Sequence, residues 1–445
     1  MELSSDQQVA LEGMLNFVQS PSQKVARLAG AAGTGKTSVL AEVAKRFSAA
    51  VVTPTNRAAG VLRKKGIAAA TIHSQIYDTI VTSLSERIRS IEQAIEAIDT
   101  KEDANEVDLA NKERLAVELI KVQHLLEESM DDEFMSFSLK DQNNLSNRVV
   151  IVDEASMVGE ELLDDIVNSK PVCILLVGDS NQLPPVKDKP VFQGFNPDWT
   201  LTQQHRTSES SGILTVANAI IEHDIITAWR TAHDVEGVNT GNYNHHFPVL
   251  AQAQAESGEL LEQKAVWITH TNRSRVGINN SLRLRMGLND PMPLEGDILV
   301  TRKSIFCKPP GSNIPLLEET PPGERPSGQN VMQIPNGTFA RVAKVVQMRA
   351  KKRDQFGRLC TIDVDGTQIN SFLKEVDFHD DAQERMAPWQ YAYCLTAHRA
   401  QGSEWDTVSI VGSPSLRRLK EQERNQWVYT ALTRARRTLN WLSRK

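Results

Sequence analysis

The sequence predicts an α/β fold made of two α/β segments, with a helical insertion in the first and a β-rich insertion in the second. Three observations carry this. Runs such as Arg148-Val-Val-Ile-Val-Asp153 and Val172-Cys-Ile-Leu-Leu-Val177 are apolar throughout and end in polar residues. Unbroken apolar runs are strands of a parallel sheet buried on both faces, since a half-wet strand would alternate. Second, Ile80, Leu84, Ile88, Ile91, Ile95 and Ile98 recur at four- and three-residue steps, and a second run carries Leu109, Leu115, Leu119, Val122 and Leu126. Two such seams about a polar break (Asp99–Asn105) predict an antiparallel helical hairpin. Third, from about Pro291 to Pro388 the residues alternate and are split by Asn336-Gly337 and Asp365-Gly366, the chemistry of β-turns.

Composition sets the outer limits. The chain has 445 residues, 24% charged and 40% hydrophobic, and so reads as an ordinary globular protein of several domains. No apolar run approaches the ~20 residues of a membrane span. Met1-Glu-Leu-Ser-Ser-Asp6 lacks the basic and apolar regions of a signal peptide, so a cytoplasmic location is expected. Cys173, Cys307, Cys360 and Cys394 form no C-x-x-C pair and are expected as buried free thiols rather than a zinc site. A net charge of -6 excludes a protein coated in positive charge, but not local binding of a polyanion. Acid concentrates between Glu86 and Glu133, whereas Arg417–Lys445 is rich in Arg and Lys.

In chain order, Ser5 or Asp6 is placed to cap a first helix through Val9, Leu11 and Leu15. Gln7 has an amide suited to an adenine edge, although a glutamine at a helix start is usually only solvated. A strand over Val25–Ala29 then runs into Gly30-Ala-Ala-Gly33-Thr34-Gly35-Lys36-Thr37, which fits G-x-x-x-x-G-K-[ST]. A glycine turn between strand and helix (Ser38–Phe47) puts backbone N–H groups against phosphate oxygens. Lys36 supplies a charge for the β- and γ-phosphates, and the Thr37 hydroxyl is a natural Mg²⁺ ligand. The strand at Ala49–Val52 ends in Thr53-Pro54-Thr55-Asn56 before a helix (58–64). Ligands of open α/β sheets sit at such strand ends, but helix capping alone would also explain these residues.

The strand before Asp153-Glu154 delivers two carboxylates at its carboxyl end, beside the phosphate-loop strand if the sheet is parallel. Asp153 suits the metal and Glu154 suits proton abstraction from an attacking water. The strand at Val172–Val177 runs into Gly178-Asp-Ser-Asn-Gln182, whose amide is placed to sense a γ-phosphate. Arg206, after a strand-like segment that starts at Trp199, and Arg434, read as lying on a C-terminal helix, are candidates to neutralise charge in phosphoryl transfer. A surface salt bridge is the commoner fate of a lone arginine. A further strand, Val266-Trp-Ile-Thr, ends in Thr271 and Asn272 and precedes a helix over Val276–Leu284. Lys308–Ser327, rich in Pro and Gly, reads as a mobile loop.

The order of these stretches resembles superfamily 1 DNA helicases of the RecD and Dda type, from Leu3 to about Arg437. Leu3–Gln7 looks like the Q motif and Gly30–Thr37 is similar to motif I. Thr53-Pro-Thr55 and Thr71-Ile-His73-Ser74 look like motifs Ia and Ib. Asp153-Glu-Ala-Ser-Met and Gly178–Val186 are similar to motifs II and III, and Gln204-His-Arg206 to motif IV. Thr396-Ala-His398-Arg-Ala-Gln401-Gly402 and Tyr429-Thr-Ala-Leu-Thr433-Arg434-Ala-Arg are similar to motifs V and VI.

The resemblance implies two RecA-like lobes with ATP and Mg²⁺ between them. It places lobe 1A at 1–75 and 146–205, a helical insertion 1B at 76–145, lobe 2A at 206–290 and 388–445, and an SH3-like insertion 2B at 291–387. Lys36, Thr37, Asp153 and Glu154 would come from the first lobe, Gln182 would be the sensor, and Arg206 and Arg434 the fingers. Gly402 and Glu404 would lie at the nucleotide, with Glu404 on the ribose. Single-stranded DNA would cross Thr53, Pro54, Thr55, Asn56, His73, Thr271, Asn272, Thr396 and His398, moving 5′ to 3′ toward a duplex junction. Two departures stand out. The interval that in this family carries a short β-hairpin pin is long and helical here, so Phe134, Phe137 or the hairpin tip are the candidates for splitting duplex. Motif Ia reads Asn56-Arg57 where relatives often have a small residue or His. The acidic arm suits a protein partner better than phosphates. An RNA-directed helicase, a translocase that displaces proteins, and an ATP-switched binding module remain the alternatives.

Overall fold

The structure, a computed structural model, describes residues 3–101, 106–131, 137–140, 143–186, 188–204, 211–302, 305–307, 332–352, 355–375, 378 and 388–444. The first segment opens with α1 (Ser5–Gln19), β1 (Val25–Gly30), α2 (Lys36–Phe47), β2 (Ala50–Thr53), α3 (Asn56–Lys64), β3 (Ala69–Thr71) and α4 (Ile72–Ile76). The arm follows as β4 (Tyr77–Thr79), α5 (Ile80–Asp99), α6 (Glu106–Asp131) and β5 (Phe137–Leu139). The segment ends with β6 (Val149–Val152), α7 (Glu160–Asn168), β7 (Cys173–Gly178) and β8 (Trp199–Leu201). Six strands form one sheet in the order β3-β2-β6-β7-β1-β8, every pair parallel. β6 and β7 are buried along their whole length, as two-sided apolar strands must be. Separate apolar clusters cover the two faces, one under α1 and α2, the other under α4 and α7.

Several expectations change in detail. The cap of α1 is Ser4, not Ser5 or Asp6. β6 does not lie beside β1, because β7 is inserted between them. The arm is a helical pair whose strands β4 and β5 join antiparallel at its root. Arg87 pairs with Glu118 at 2.6 Å and Asp99 with Lys112, partners that run in opposite senses along the two helices. Ile88 and Ile91 of the predicted seam are buried. Of the two phenylalanines considered for splitting duplex, Phe137 opens β5, and Phe134 lies outside the described residues.

The second segment has α8 (Ser211–Glu222), α9 (Ile225–Thr231), β9 (Val238–Asn242), α10 (Tyr243–Glu256), β10 (Ala265–Thr269) and α11 (Asn272–Arg285). β11 (Ile298–Thr301), β12 (Ile305–Cys307), β13 (Met332–Ile334), β14 (Phe339–Lys352), β15 (Gln355–Val364), β16 (Thr367–Lys374) and β17 (Trp389–Tyr391) come next. β18 (Cys394–Thr396), α12 (Ala397–Ala400), β19 (Trp405–Gly412), α13 (Glu421–Leu432) and β20 (Ala435–Ser443) close the chain. A second all-parallel sheet has the order β18-β10-β19-β20-β9. Between α11 and β18 the chain builds an antiparallel sheet, β16-β15-β14-β11-β17. Asp365 and Gly366 both take positive φ (49° and 85°) and turn β15 into β16 in two residues, as an Asp-Gly pair does. The antiparallel sheet keeps the chain until Tyr391, past the expected boundary at 387.

Cys173, Cys360 and Cys394 are buried and free. No described helix is long and apolar enough to cross a membrane. The loop expected at Lys308–Ser327 lies outside the described residues.

Candidate functional site

The phosphate-loop candidate leaves β1 and enters α2. Gly33 and Gly35 have φ of 83° and 78°, which only glycine adopts without strain. A Cβ on Gly30 would stand 2.5 Å from Thr34 Oγ1, so the loop closes on itself there. Thr34 is buried and donates to the Ala31 carbonyl at 2.9 Å. Lys36 Nζ donates to the carbonyls of Gly30 (2.6 Å) and Ala31 (3.0 Å). Lys36 and Thr37 open α2, where unpaired N–H groups and the helix dipole favour an anion. Gln7 is buried, accepts from Ser4 N at 3.0 Å and donates from Nε2 to Thr34 O at 3.0 Å. It is thus tied to the loop itself.

β6 is followed directly by Asp153, whose N–H donates to Val52 O at 2.9 Å. Burial, with the neighbouring charge of Glu154, pushes the Asp153 carboxyl up to about 7. Glu154 takes φ of 55°, an uncommon conformation for a side chain with a Cβ and a mark of local constraint. Among the described residues there is no cluster of three or more His, Cys, Asp or Glu that would cage a metal. Thr37 and Asp153 offer two hard oxygen donors, which fits an ion that keeps waters and shares a nucleotide's phosphates.

The second segment reaches this loop directly. Tyr429, buried on α13, accepts from Ala32 N–H at 3.0 Å and donates to Asp179 Oδ2 at 2.7 Å. The Leu183 N–H donates to Thr430 Oγ1 at 2.9 Å, and the Leu183 carbonyl accepts from Gln401 Nε2 at 3.0 Å. The Leu183 side chain belongs to the apolar core of the second segment. Gln182 is buried beside it, and its Oε1 has no hydrogen-bond partner among the described residues. Arg434 lies just past α13 rather than on it. It is buried, with Nε on the Thr430 carbonyl (3.0 Å) and Nη2 on Thr433 Oγ1 (3.1 Å). Gly402, with φ of 69°, packs against α3: a Cβ there would lie 2.9 Å from Ala58 Cβ. Glu404 accepts from Arg436 Nε at 3.2 Å. Arg206 lies outside the described residues.

Sequence reasoning assigned no role to Tyr429, Asp179, Gln401 or Thr430. The available signal was polar groups on a helix otherwise rich in small and apolar residues, where a hydroxyl needs a partner.

The strand-contact candidates fall into two matching sets. β2 and β3 are neighbours at the edge of the first sheet, with Thr53 opposite Thr71. β10 and β18 are neighbours at the edge of the second, with Thr269 opposite Thr396. Thr55, Thr71 and Thr271 each cap the following helix, accepting from Ala58, Ser74 and Ser274 N–H at 3.2 Å. Thr396 is the N-cap of α12. Thr53 is buried and donates to the Thr55 carbonyl at 2.7 Å, which fixes the turn through Pro54. The Asn56 amide oxygen faces Arg63, and that of Asn272 faces Arg275 Nε at 3.4 Å. His73 stands 5.3 Å from the Tyr77 ring. Burial, with His270 nearby, shifts His398 below the ordinary histidine range. Each sheet thus gathers hydroxyl, amide and imidazole groups at the carboxyl ends of an edge strand and its neighbour.

Residues 2–242 match the family described as AAA domain, and residues 391–441 match the UvrD-like helicase C-terminal domain. The chain is similar to the ATP-dependent RecD2 DNA helicase of Deinococcus radiodurans, at 28% identity over 301 residues, covering 65% of this chain and 35% of that protein. It is similar to the RecBCD enzyme subunit RecD of Buchnera aphidicola subsp. Schizaphis graminum, at 22% identity over 350 residues, covering 68% of this chain and 55% of that one. It therefore spans between 35% and 55% of the length of these two relatives. Among solved structures it is similar to the Pif1 helicase from Candida albicans, 17% identical, covering 99% of this chain and 94% of that chain, with a TM-score of 0.43. The Bacteroides Pif1 complex with ADP-AlF3 and ssDNA is 18% identical, covers 99% and 92%, and has a TM-score of 0.44.

Proposed function

We propose, from the premise that this chain belongs to the AAA domain family and carries a UvrD-like helicase C-terminal domain, that it is a superfamily 1 motor that hydrolyses ATP between its two parallel-sheet lobes. Hydrolysis drives movement 5′ to 3′ along single-stranded DNA and opens a duplex at its junction. The carrying observation is Tyr429: one hydroxyl of the second lobe bonds both the phosphate-loop backbone at Ala32 and Asp179 of the first. A nucleotide on that loop is therefore felt at the lobe boundary.

In this reading Gly33–Thr37 cradle the phosphates and Lys36 neutralises them. Thr37 and Asp153 would hold the Mg²⁺, which would supply neutralising charge to the phosphates when bound. A cation there would offset the burial that, with Glu154, raises the Asp153 carboxyl. Glu154 takes the proton of the attacking water. Gln182, with an amide oxygen still to be satisfied, orients that water or the γ-phosphate. Arg434 and Arg206 stabilise the developing charge from the second lobe. Gln7 acts on the adenine side through its hold on Thr34. Gly402 and Glu404 lie on the lobe-2 side of the nucleotide. Thr55, Asn56 and His73 grip the strand on one lobe, held in place by the turn that buried Thr53 fixes, and Thr271, Asn272, Thr396 and His398 grip it on the other. Lobe closure then shortens the distance between two grips, and reopening after hydrolysis advances one of them.

The test is unwinding of duplexes with a 5′ or a 3′ single-stranded tail, run alongside ATPase assays with oligo-dT and oligo-U. Unwinding from 5′ tails with DNA-stimulated hydrolysis is expected. Unwinding only from 3′ tails would overturn the polarity, stimulation by RNA alone would overturn the substrate, and stimulated ATPase without strand separation would make this a translocase.

A further inference from the structure

Arg57 is the second residue of α3, one position past the Thr53–Asn56 stretch. Its guanidinium carbon lies 3.9 Å from the ring centroid of Phe339 and 4.3 Å from that of Trp405. Phe339 opens β14 of the antiparallel sheet, and Trp405 opens β19 of the second parallel sheet. The two rings stand 6.5 Å apart at 59°, forming a jaw rather than a stack. One side chain of the first lobe is thus held by both other sheets at once.

The clasp involves no carboxylate found among the described residues. Arg57 Nη1 is buried without a hydrogen-bond partner, while Glu404 and Asp406 face Arg436. Burial, with the like charge of Arg436, pulls Arg57 down to about 9. A desolvated guanidinium so placed is held by ring faces and shape, and depends on both rings being in position. The start of α3 is also seated on Gly402, whose added Cβ would meet Thr55 Oγ1 at 3.0 Å. The strand-contact candidates and the clasp therefore share the first turn of one short helix.

We propose that Arg57 is a positioning residue that transmits strand binding at the start of α3 to the second lobe and the antiparallel sheet, setting lobe closure. This rests on the motor reading above. A shift of α3 on strand binding moves the guanidinium within its jaw, and the two sheets that form the jaw must follow.

The experiment uses Arg57→Ala, Arg57→Lys and Phe339→Tyr in the full chain. It reads basal ATPase, ATPase at saturating oligo-dT, and the distance distribution between spin labels placed by Glu12→Cys and Gln368→Cys. Arg57→Ala is expected to leave basal hydrolysis unchanged, to cut the oligo-dT stimulation about tenfold, and to broaden the label distances. Arg57→Lys keeps the charge but not the planar contact and should not restore stimulation, whereas Phe339→Tyr should retain it. Wild-type stimulation in Arg57→Ala would overturn the proposal, as would a basal rate that falls in proportion. If the unmodified chain is not stimulated by oligo-dT, the motor reading fails instead. The clasp is then judged by label distances alone, with broadening supporting it and an unchanged distribution overturning it.

Discussion

The second lobe meets its two neighbours in opposite ways. With the antiparallel sheet it shares one continuous apolar core, from Ile213 and Trp267 through Ile298, Val342 and Ile362 to Leu442. That junction is sealed by a buried ion pair: Arg283 on α11 meets Asp297 at 2.8 and 2.9 Å, and Tyr393 adds a bond to Asp297 at 2.9 Å. With the first lobe, whose apolar clusters are its own, the contacts described above are the Leu183 side chain, the Arg57 clasp, the seat of α3 on Gly402 and a few polar bonds from Tyr429, Thr430 and Gln401. An apolar seam is broken at large cost, whereas hydrogen bonds can be exchanged for water or ligand at little net cost. The antiparallel sheet should therefore travel with the second lobe, and the first lobe should be the part that separates.

Breaking the sealed junction should have the largest effect. Asp297→Ala leaves Arg283 buried without its acid, which costs roughly 3–5 kcal/mol. Urea unfolding should show that loss in the cooperative transition of the second lobe, and a loss under 1 kcal/mol would mean that the seam does not need the pair. Leu183→Ala comes next. It removes a side chain from the second lobe's core that belongs to the first lobe, costing about 2–3 kcal/mol in lobe apposition. The sharpening outcome is where that cost appears: a raised KM for ATP with little change in unfolding midpoint supports a separable junction, and a large midpoint shift argues against one. Tyr429→Phe is smaller, since it leaves Ala32 N–H and Asp179 each short of one partner, about 1–2 kcal/mol in all. A several-fold rise in KM for ATP with kcat less affected is expected, and steady-state kinetics reads it.

How much of this was legible in the sequence follows the same division. The sealed parts were readable because they are periodic. β6 and β7 announced themselves as unbroken apolar runs, and Asp365-Gly366 as a two-residue turn. The separable junction was not readable, because its contacts join residues hundreds of positions apart and carry no local pattern. Tyr429 lies inside a recognised motif, yet nothing in its neighbourhood says that its hydroxyl crosses to Ala32 and Asp179. Strand order failed for a related reason: an apolar run specifies that β6 is central but not that β7 separates it from β1. Arg434 was expected on a helix because Thr430–Leu432 continue one. The helix ends at Leu432, where the Thr430 carbonyl accepts from Arg434 Nε and the Ala431 carbonyl from the Arg434 N–H.

Two carboxylates of the first lobe make the finest test, because they respond to pH with opposite signs and neither touches the sealed junction. Asp153 is raised to about 7 by burial, so the folded state binds its proton more tightly than the unfolded chain does. Its favourable contribution is present below the ordinary carboxylate range and is lost as pH rises toward 7. Asp153→Asn should therefore be more stable than the unmodified chain at pH 8, on the order of 1–2 kcal/mol, and equal to it near pH 4, while lacking ATPase activity. Asp6 goes the other way. Its desolvation is outweighed by N–H donors from Gln203, Thr202 and Gln7 and by the Ser4 hydroxyl, which together hold it at about 2. That stability is present above the ordinary carboxylate range and disappears as pH falls to about 2. Asp6 is only half-buried, so the effect of Asp6→Asn at pH 7 should stay below about 1 kcal/mol. Thermal melts of both variants from pH 4 to 8 check the pair: Asp153→Asn should gain on the unmodified chain as pH rises, and Asp6→Asn should trail it by a small, constant margin above pH 5. A margin for Asp6→Asn that grows between pH 6 and 8 would show that the bonds from α1 to the end of β8 are not what fastens the chain where it leaves the first lobe.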